Sequence, residues 1–408
     1  WEAVYSISEG SGVEKALEGV RVLDLSEGVT GPWAARLLGD FGAGVLKVER
    51  PPGGDPARRW APFPQERPGP DSSALFLFLN LNKRGVTLAW ETPTGRRLLR
   101  ELARHADLVI EDSQGRVLAE DLRAHNPRLV VLSISGFGEG PYHSWKVTEM
   151  VAYGMGGPMY TTGIPQREPV KYAGDVALLQ AGFVAALAAL TALWQAEERG
   201  QGEWVEVSVL ETQAGSIDRR TTHLLAAQYT GEEFGRLEVG TGIASGTWPC
   251  RDGYITFRSS GPRFPLALRM MGREDLLRDP RFSRPEAWSR PESARAFNTQ
   301  YLLPWLAERS MREVWAQSQR HRCLSGPVFS PREVVEDPHF RQRGVWAQVE
   351  HPVLGRVTFP GRPFLMDRTP WRVYRPAPLL GEHNAEVFCG LLGYSREDLV
   401  HLRQMGVV

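Results

Sequence analysis

The sequence predicts an α/β fold in which a mostly parallel sheet, covered by helices on both faces, is joined to a smaller α+β unit. Between residues 19 and 137, short apolar strands alternate with helical segments, the pattern of a parallel sheet with crossover helices. Beyond about Arg219 the chain changes to short β-like pieces and helices with frequent Pro and Trp, which indicates a second unit. A chain of 408 residues, 42% of them hydrophobic, is long enough for two or three structural units.

Local signals predict the elements of the larger unit in order. Residues 20–25 form the first strand, and Pro32 suits the start of the helix that follows at 33–41. Thr92 and Pro93 begin a second helix, which extends to about residue 105. Apolar runs predict further strands at 45–48, 86–89, 108–110, 129–134 and 203–208.

The second unit is predicted from residue 219 to residue 345. Its clearest elements are a strand at 253–257 and a helix at 311–320. Residues 17–218 are then the first part of the large domain, and residues 346–408 are a linker and a C-terminal tail.

Charge and cysteine content exclude several classes of protein. The chain carries 48 basic and 48 acidic side chains, and this balance argues against a nucleic-acid partner. Three widely spaced cysteines form neither a disulfide framework nor a zinc pattern, and residues 1–18 show no secretion signal, so we expect a cytoplasmic protein. Among the basic residues only five are lysines, and each of them raises the question of a specific role: Lys15, Lys47, Lys83, Lys146 and Lys171.

Membrane, metal and redox-cofactor functions are not expected. The apolar segment 176–194 approaches the ~20 residues of a membrane span, but it is rich in Ala and solitary, which predicts a buried helix instead. The glycines at 39, 42 and 44 follow a helix rather than begin one, so they do not form a nicotinamide or flavin fingerprint. The nine histidines are scattered without metal-ligand spacing.

Two segments are rich in glycine, at 133–140 and 154–157. Such backbone lets a ligand approach closely and offers N–H donors to an anion or to a developing oxyanion. Ordinary turn formation explains the same pattern, and the local residues alone leave both interpretations open.

A series of motifs in a fixed order resembles the class III CoA-transferases, the family of formyl-CoA transferase and carnitine CoA-transferase. The likeness covers about residues 17 to 408 and is strongest in the Gly-Ala-Gly-Val-Leu-Lys-Val-Glu-Arg segment at 42–50. The other matching blocks are at 17–24, 31–32, 80–84, 126–128, 133–138, 200–202, 326–327, 337–338 and 379–383.

The resemblance implies an architecture and a substrate class. The large domain is expected to be Rossmann-like and to combine the N-terminal half with the C-terminal tail, and two subunits are expected to interlock as a dimer. Coenzyme A enters as a substrate, in the form of an acyl-CoA, and a carboxylic acid is the second substrate.

The resemblance also implies individual site residues. Arg50 matches an arginine that meets the CoA phosphates, and Leu88 matches a residue beside the adenine. Lys146 and Glu149 match a Lys-x-x-Glu pair near the pantetheine and acyl end. Asp112 stands at a CoA-contacting position of the loop after the fourth strand, where the aromatic residue usual in the family is missing.

The main departure from the family concerns the nucleophile. In the family an aspartate carboxylate attacks the acyl-CoA thioester, which is covalent catalysis. Counting from Lys146 forward and from Gly182 backward places that aspartate at position 178, and this chain has Leu178 there. Asp175 lies one helical turn earlier, on the same face if the segment is helical, and is a candidate substitute.

Three interpretations follow. The leading one is the aspartate-lacking subunit of a hetero-oligomeric CoA-transferase, an arrangement that resembles benzylsuccinate CoA-transferase, with a paralogous subunit supplying the nucleophile. The second is a stand-alone acyl-CoA enzyme, namely a transferase, lyase or hydratase, that uses Asp175 or Glu149. Whether the dimer is a homodimer or a heterodimer with a paralogous subunit stays open at this point. The third is an acyl-CoA-binding protein without catalysis.

Overall fold

A computed structural model describes residues 14–215, 219–232, 235–236 and 242–408, apart from the side chains of 65 and 219–224. The described residues divide into two compact units. The first comprises those within Trp1–Tyr160, Val170–Phe234 and Gly344–Val408, and the second those within Thr161–Pro169 and Gly235–Arg343. The domain boundaries proposed from the sequence, at 219 and 346, stay predictions.

The first unit is built on a six-stranded parallel sheet in the order β3-β2-β1-β4-β5-β6, which confirms the predicted fold class. The order reverses between β1 and β4, as in the doubly wound dinucleotide-binding folds. The strands are β1 (Arg21–Asp24), β2 (Gly44–Glu49), β3 (Lys83–Thr87), β4 (Leu108–Glu111), β5 (Val130–Ser135) and β6 (Trp204–Ser208).

Helices of the first unit lie between these strands and after the last of them. They are α1 (Thr30–Gly39), α2 (Ala74–Leu79), α3 (Pro93–Ala103), α4 (Arg116–Arg123), α5 (Glu149–Met155), α6 (Val176–Arg199), α7 (Val209–Ala214) and α8 (Arg219–Thr230). Short 3₁₀ turns lie at Pro56–Arg59, Pro64–Glu66 and Pro158–Thr161.

Each face of the sheet carries its own apolar cluster because side chains alternate along a strand. On β1, Leu23 contributes to the cluster with α3 and α4, whereas Val22 contributes to the cluster with α1 and α6. The predicted strand at 86–89 in fact begins three residues earlier, at Lys83. Polar residues and a glycine form its first half, which no apolar pattern could indicate.

The C-terminal segment packs back onto this unit. Trp371 Nε1 donates to Asp40 Oδ2 at 2.6 Å, and the Ala89 amide donates to the carbonyl of Val407 at 2.7 Å. This segment contains the hairpin β10 (Trp346–His351) and β11 (Gly355–Pro360), a π-helical segment at Ala385–Leu391 and a last α-helix at Arg396–Gln404.

The second unit has an antiparallel sheet of its own, formed by the neighbouring strands β7 (Ser245–Cys250), β8 (Gly253–Arg258) and β9 (Leu324–Pro327). Its apolar core is rich in aromatic rings, among them Phe264, Phe282 and Phe297. The helix predicted at 311–320 is confirmed with the same bounds, and Ser310 and Glu313 form a capping box at its start. The helices are Phe264–Met271, Pro285–Trp288, Pro291–Phe297, Leu303–Ala307, Met311–Arg320, Pro331–Glu336 and Pro338–Gln342. A π-helical turn at Asn298–Leu302 and 3₁₀ turns at Gly261–Arg263 and Glu274–Arg278 complete it.

Helix α6 is only half buried within the single chain, which corrects the expectation of a buried helix. Its alanine face packs inward, while large apolar side chains on the other face are exposed, led by Leu187 and Trp194 at 67% and 71%. Because the segment is apolar all round, its sequence does not show which side faces the sheet. Among the described residues, α6 is the one helix long and apolar enough to span a membrane, by length and composition only.

The β10–β11 hairpin depends on a neutral histidine, and acid is expected to weaken it. His351 is buried, and its Nδ1 accepts the amides of Val353 and Leu354 at 3.2 and 3.3 Å. Burial lowers the pKa of His351. Protonation at Nδ1 would break both hydrogen bonds, whereas the imidazole of the unfolded chain protonates freely near pH 6.5. Stability is therefore expected to fall as the pH drops below about 6.5.

The measurement is the free energy of unfolding in urea at several pH values between 5 and 7.5. His351→Asn retains an acceptor but does not titrate, so it should remove about 1 to 2 kcal/mol of the acid-induced loss, because one group with an unfolded pKa near 6.5 can cost at most about 2 kcal/mol at pH 5. His125→Asn, at an exposed position, is the matched control. An equal acid loss in wild type and His351→Asn contradicts the prediction.

Candidate functional site

The point where the strand order reverses brings two loops together at the carboxyl edge of the sheet. The loop after β1 contains Glu27, whose amide donates to Asp112 Oδ2 of the loop after β4 at 2.8 Å. In open α/β sheets, ligands bind in the crevice outside the strand ends at such a reversal. The sheet therefore positions Asp112, one of the sequence-predicted CoA contacts, where a ligand is expected.

A fully buried network of charged groups supports the loop after β1. Lys83 Nζ donates to Asp24 Oδ2 at 2.7 Å, and also to the Pro32 carbonyl and Asn80 Oδ1. Lys47 Nζ lies 2.9 Å from Asp55 Oδ2 and 3.8 Å from Asp24 Oδ2, and it donates to the Ser26 carbonyl. Asp55 Oδ1 in turn accepts the amide of Gly28 at 3.0 Å. Two of the five lysines thus hold the polypeptide at the strand end rather than face solvent.

Within this network the protonated, charged form is more strongly stabilised at Lys47 than at Lys83. Burial disfavours an ammonium ion, but the carboxylates of Asp24, Asp55 and Glu49 outweigh it and raise the pKa of Lys47. Burial prevails at Lys83 and lowers its pKa to about 8, in spite of Asp24. Burial would raise the pKa of Asp24, yet the two lysine charges hold it below its ordinary value.

Arg50, the predicted contact of the CoA phosphates, already has two carboxylate partners. Its Nε donates to Glu91 Oε1 at 2.6 Å and its Nη1 to Glu27 Oε1 at 2.5 Å. The guanidinium lies 4.2 Å from the ring centre of Trp90, which is fully buried. Partial burial would lower the pKa of Arg50, but Glu91 and Glu27 raise it.

The other two predicted CoA contacts differ in accessibility. Leu88 is fully buried in the apolar cluster with α3 and α4, so its side chain has no surface for a ligand in this conformation. Lys146 is exposed on the chain before α5. Contact of either residue with CoA stays a prediction.

Glu149 holds the start of α6 in place together with a lysine that the sequence did not single out for the site. Glu149 Oε1 accepts the amide of Ala177 at 3.1 Å, and Oε2 lies 2.5 Å from Lys171 Nζ. Lys171 Nζ also donates to the carbonyls of Tyr172 and Gly174, at 3.0 and 2.8 Å. Both carboxylate oxygens of Glu149 are therefore engaged by the segment that leads into α6.

Asp175 and Leu178 lie within the first turn of α6. Asp175 is its N-cap residue, but its side chain makes no capping bond, and Glu149 takes the Ala177 amide instead. Leu178 is partly buried against the apolar cluster of α1 and α6. A Cβ at Gly182, four residues later, would lie 2.8 Å from the Thr30 carbonyl oxygen and 2.7 Å from Trp33, so only glycine permits this approach of α6 to α1.

The glycine-rich loop after β5 uses several of its donors internally. The Gly138 amide donates to Ser135 Oγ at 2.9 Å, and the Glu139 amide to Glu206 Oε2 at 3.1 Å. Similarly, Glu111 accepts three successive amides before α4, from residues 113–115. For these donors the turn-forming interpretation of the loop is the better one. In the described ranges no three His, Cys, Asp or Glu side chains are arranged to hold a metal ion.

The structure thus forms two groups from the predicted residues. Arg50 and Asp112 lie at the carboxyl edge of the sheet, while Glu149, Asp175 and Leu178 lie at the start of α6. Sequence reasoning missed Glu27 and Glu91 as partners of Arg50, and Lys171 as the partner of Glu149. Lysine scarcity was the available signal for Lys171, whereas nothing distinguished the two glutamates.

Comparisons with known proteins agree with the predicted family and with this fold. Residues 17–384 match CoA-transferase family III. A formyl-CoA:oxalate CoA-transferase from Streptomyces avermitilis is 35% identical, with 97% of this chain and 100% of that protein covered. A succinyl-CoA–D-citramalate CoA-transferase from Chloroflexus aurantiacus is 30% identical, over 97% of this chain and 98% of that protein.

One solved structure and one further sequence relative indicate the same family. A CAIB/BAIF family protein from Brucella suis superposes with a TM-score of 0.81 at 28% identity, covering 92% of this chain and 99% of that one. A succinate–glutarate CoA-transferase from Agrobacterium fabrum is similar in sequence, at 31% identity over 92% of this chain and 95% of that protein. The resemblance inferred from the motifs is confirmed, and the chain belongs to CoA-transferase family III.

Proposed function

We propose that this chain is the subunit without a nucleophile in a hetero-oligomeric, cytoplasmic class III CoA-transferase. It binds acyl-CoA and completes the fold, while a homologous subunit supplies the aspartate that attacks the thioester. In that reaction an oxygen of the aspartate carboxylate bonds to the acyl carbon, the carbon–sulfur bond breaks, and CoA leaves as its thiolate, so that a mixed anhydride forms on the aspartate. The thiolate next attacks the aspartyl carbon of the anhydride, which releases the donor acid as its carboxylate and leaves an aspartyl-CoA thioester. The acceptor carboxylate attacks that thioester and expels the thiolate again, and the thiolate then attacks the acceptor's carbonyl carbon, which gives the new acyl-CoA and the free aspartate.

The single observation that carries the proposal is the side chain at position 178. Leucine has no group that can attack a thioester, and here it packs into an apolar cluster. Gly182 supports the alignment, because the close approach of α6 to α1 admits no larger residue four positions after Leu178.

The exposed face of α6 supports an assembly of more than one chain. Large apolar side chains on it reach solvent in the single chain, including Phe183 at 49% and Trp194 at 71%. Contiguous apolar surface of this kind marks protein interfaces rather than solvent-facing helices. A second subunit that covers this face is the occupant we propose.

Asp175 favours one second candidate, a stand-alone acyl-CoA enzyme. Its side chain does not cap α6 and it stands at a helix N-terminus, where negative charge is stabilised. A carboxylate without a structural task at this place could act as nucleophile or base.

Acyl transfer by the purified chain tests the proposal. The substrate pairs are those of the relatives: formyl-CoA with oxalate, and succinyl-CoA with D-citramalate or glutarate. We expect no acyl adduct in the intact mass of the chain alone, and turnover only after coexpression with a homologue that has aspartate at the position of Leu178. Hydroxylamine, which cleaves acyl-aspartate, should then abolish the adduct on the partner.

Activity of the chain alone that Asp175→Asn abolishes would overturn the proposal in favour of the stand-alone enzyme. Asp367→Asn, an exposed aspartate in the C-terminal segment, is the matched control for that variant.

A further inference from the structure

The environment of Arg50 opposes the ligand that this arginine is expected to bind. Two donors of its guanidinium bond to glutamates, Nε to Glu91 and Nη1 to Glu27. The side chains involved are 29% to 43% exposed, so the pairs lie at the surface of the crevice rather than inside the core. A third carboxylate, that of Asp112, accepts the Glu27 amide at 2.8 Å.

Two of the five N–H donors of the Arg50 guanidinium are already bonded to carboxylates. Bidentate binding of phosphate uses two neighbouring N–H groups, either Nε with Nη2 or Nη1 with Nη2. Glu91 occupies Nε, so the Nε–Nη2 edge already has a bonded donor, and Glu27 is bonded to Nη1 of the other edge. The face of the guanidinium is stacked on Trp90.

Electrostatics act in the same direction. Arg50 has the two carboxylates of Glu27 and Glu91 bonded to its one positive charge, and beside them lies Asp112, whose pKa is raised to about 7 by burial. A phosphate that approaches Arg50 lies near both glutamates and competes with them for the guanidinium. By contrast, the ammonium group of Lys47 is fully buried and paired with Asp24 and Asp55, so it does not face the crevice.

We infer that Glu27 and Glu91 form a carboxylate clamp that weakens the binding of CoA phosphate groups to this chain. The inference rests on the proposed function, because it takes Arg50 as the residue that faces those phosphates. It assigns the two glutamates as specificity-determining residues, and it makes the partner subunit the principal holder of CoA in the assembly.

Calorimetric titration of the purified full-length chain with CoA tests the clamp. E27Q and E91Q keep the size of each side chain and remove its charge. We expect each to tighten CoA binding about three- to tenfold and E27Q/E91Q to tighten it further, since one charge at several ångströms from a phosphate has an effect of this size. The gain should shrink in 0.5 M salt, where the Debye length is only a few ångströms.

Three further arms separate a charge effect from a structural one. Pantetheine, which has no phosphate, should bind all variants alike. Titration with 3′-dephospho-CoA shows whether the higher affinity of the variants depends on the 3′-phosphate or on the diphosphate. Glu350→Gln removes the partner of Arg356 in another exposed pair, 2.9 Å apart, and should leave CoA binding unchanged. R50M should weaken CoA binding only slightly in the wild-type background, but in E27Q/E91Q it should cancel the gain in CoA affinity.

The clamp is refuted if E27Q/E91Q binds CoA with the wild-type dissociation constant, or if R50M costs equally in both backgrounds. A lack of measurable CoA binding by E27Q/E91Q refutes it as well. Because the readout is binding, it is independent of acyl transfer. An unchanged dissociation constant leaves the subunit proposal standing, whereas an acyl adduct on the chain alone overturns that proposal and not the clamp.

Discussion

Lys47→Met is expected to lower the free energy of unfolding by about 3 to 5 kcal/mol, the usual cost of removing one partner from a buried ion pair. Methionine fills nearly the same volume, so the loss is one of charge and hydrogen bonding. Asp55 Oδ2 loses its ammonium partner at 2.9 Å, and the Ser26 carbonyl loses its donor. Asp24 retains only Lys83 as a cationic partner, at 2.7 Å.

Urea unfolding of wild type and variant at pH 7 measures the effect. Lys146→Met makes the same chemical change at an exposed position and should stay within about 0.5 kcal/mol of wild type. Asp55→Asn combined with Lys47→Met should cost less than the sum of the two single changes, because the double variant removes both charges of the pair. Equal losses for Lys47→Met and Lys146→Met contradict this description of the network.

The sequence predicted a strand correctly where a continuous series of apolar residues coincides with the residues that pair in the sheet. The strands at β1, β4 and β5 differ from the predicted ones by a residue or two at their ends. At β3 the run was misleading, because Lys83 and Gly85 belong to the strand. Lys83 is there because its ammonium group reaches Asp24, and a Cβ at Gly85 would lie 2.9 Å from Pro378. Both reasons depend on residues distant in the sequence.

A lysine inside a buried strand was the signal available for the network. Lys47 stands between apolar neighbours in a run that predicts a parallel strand, and such strands are buried on both faces. A charged residue there needs a partner. The sequence nevertheless contains many acidic residues, and only the strand order identifies Asp24 and Asp55 as the partners.

The candidate site was predictable as a set of positions but not in its contacts. Glu27 and Glu91 lie 23 residues before and 41 residues after Arg50, and they meet it because β1, β2 and β3 are neighbours in the sheet. Register decides such pairs, and a single sequence does not specify it. The departure at Leu178 was visible without a structure, since it needs only the motifs on either side.

Leu178→Asp is expected to give this chain a nucleophile of its own. Position 178 is in the first turn of α6, where the helix dipole stabilises a carboxylate, and the side chain is partly buried rather than enclosed. We expect an acyl adduct in the intact mass of the variant after incubation with millimolar acyl-CoA, and its cleavage by hydroxylamine. The wild type should show none, so the effect is a gain from zero.

Leu178→Asn is the matched control, because it introduces the same shape and polarity without a nucleophilic carboxylate. Both variants lose the packing of Leu178. Their free energies of unfolding in urea should therefore be lower than that of the wild type by similar amounts, about 1 to 3 kcal/mol. An adduct on Leu178→Asp alone therefore reports on the carboxylate and not on altered packing. If Leu178→Asp is folded, binds CoA and still forms no adduct, position 178 does not face the thioester, and the absence of a nucleophile there ceases to support the subunit assignment.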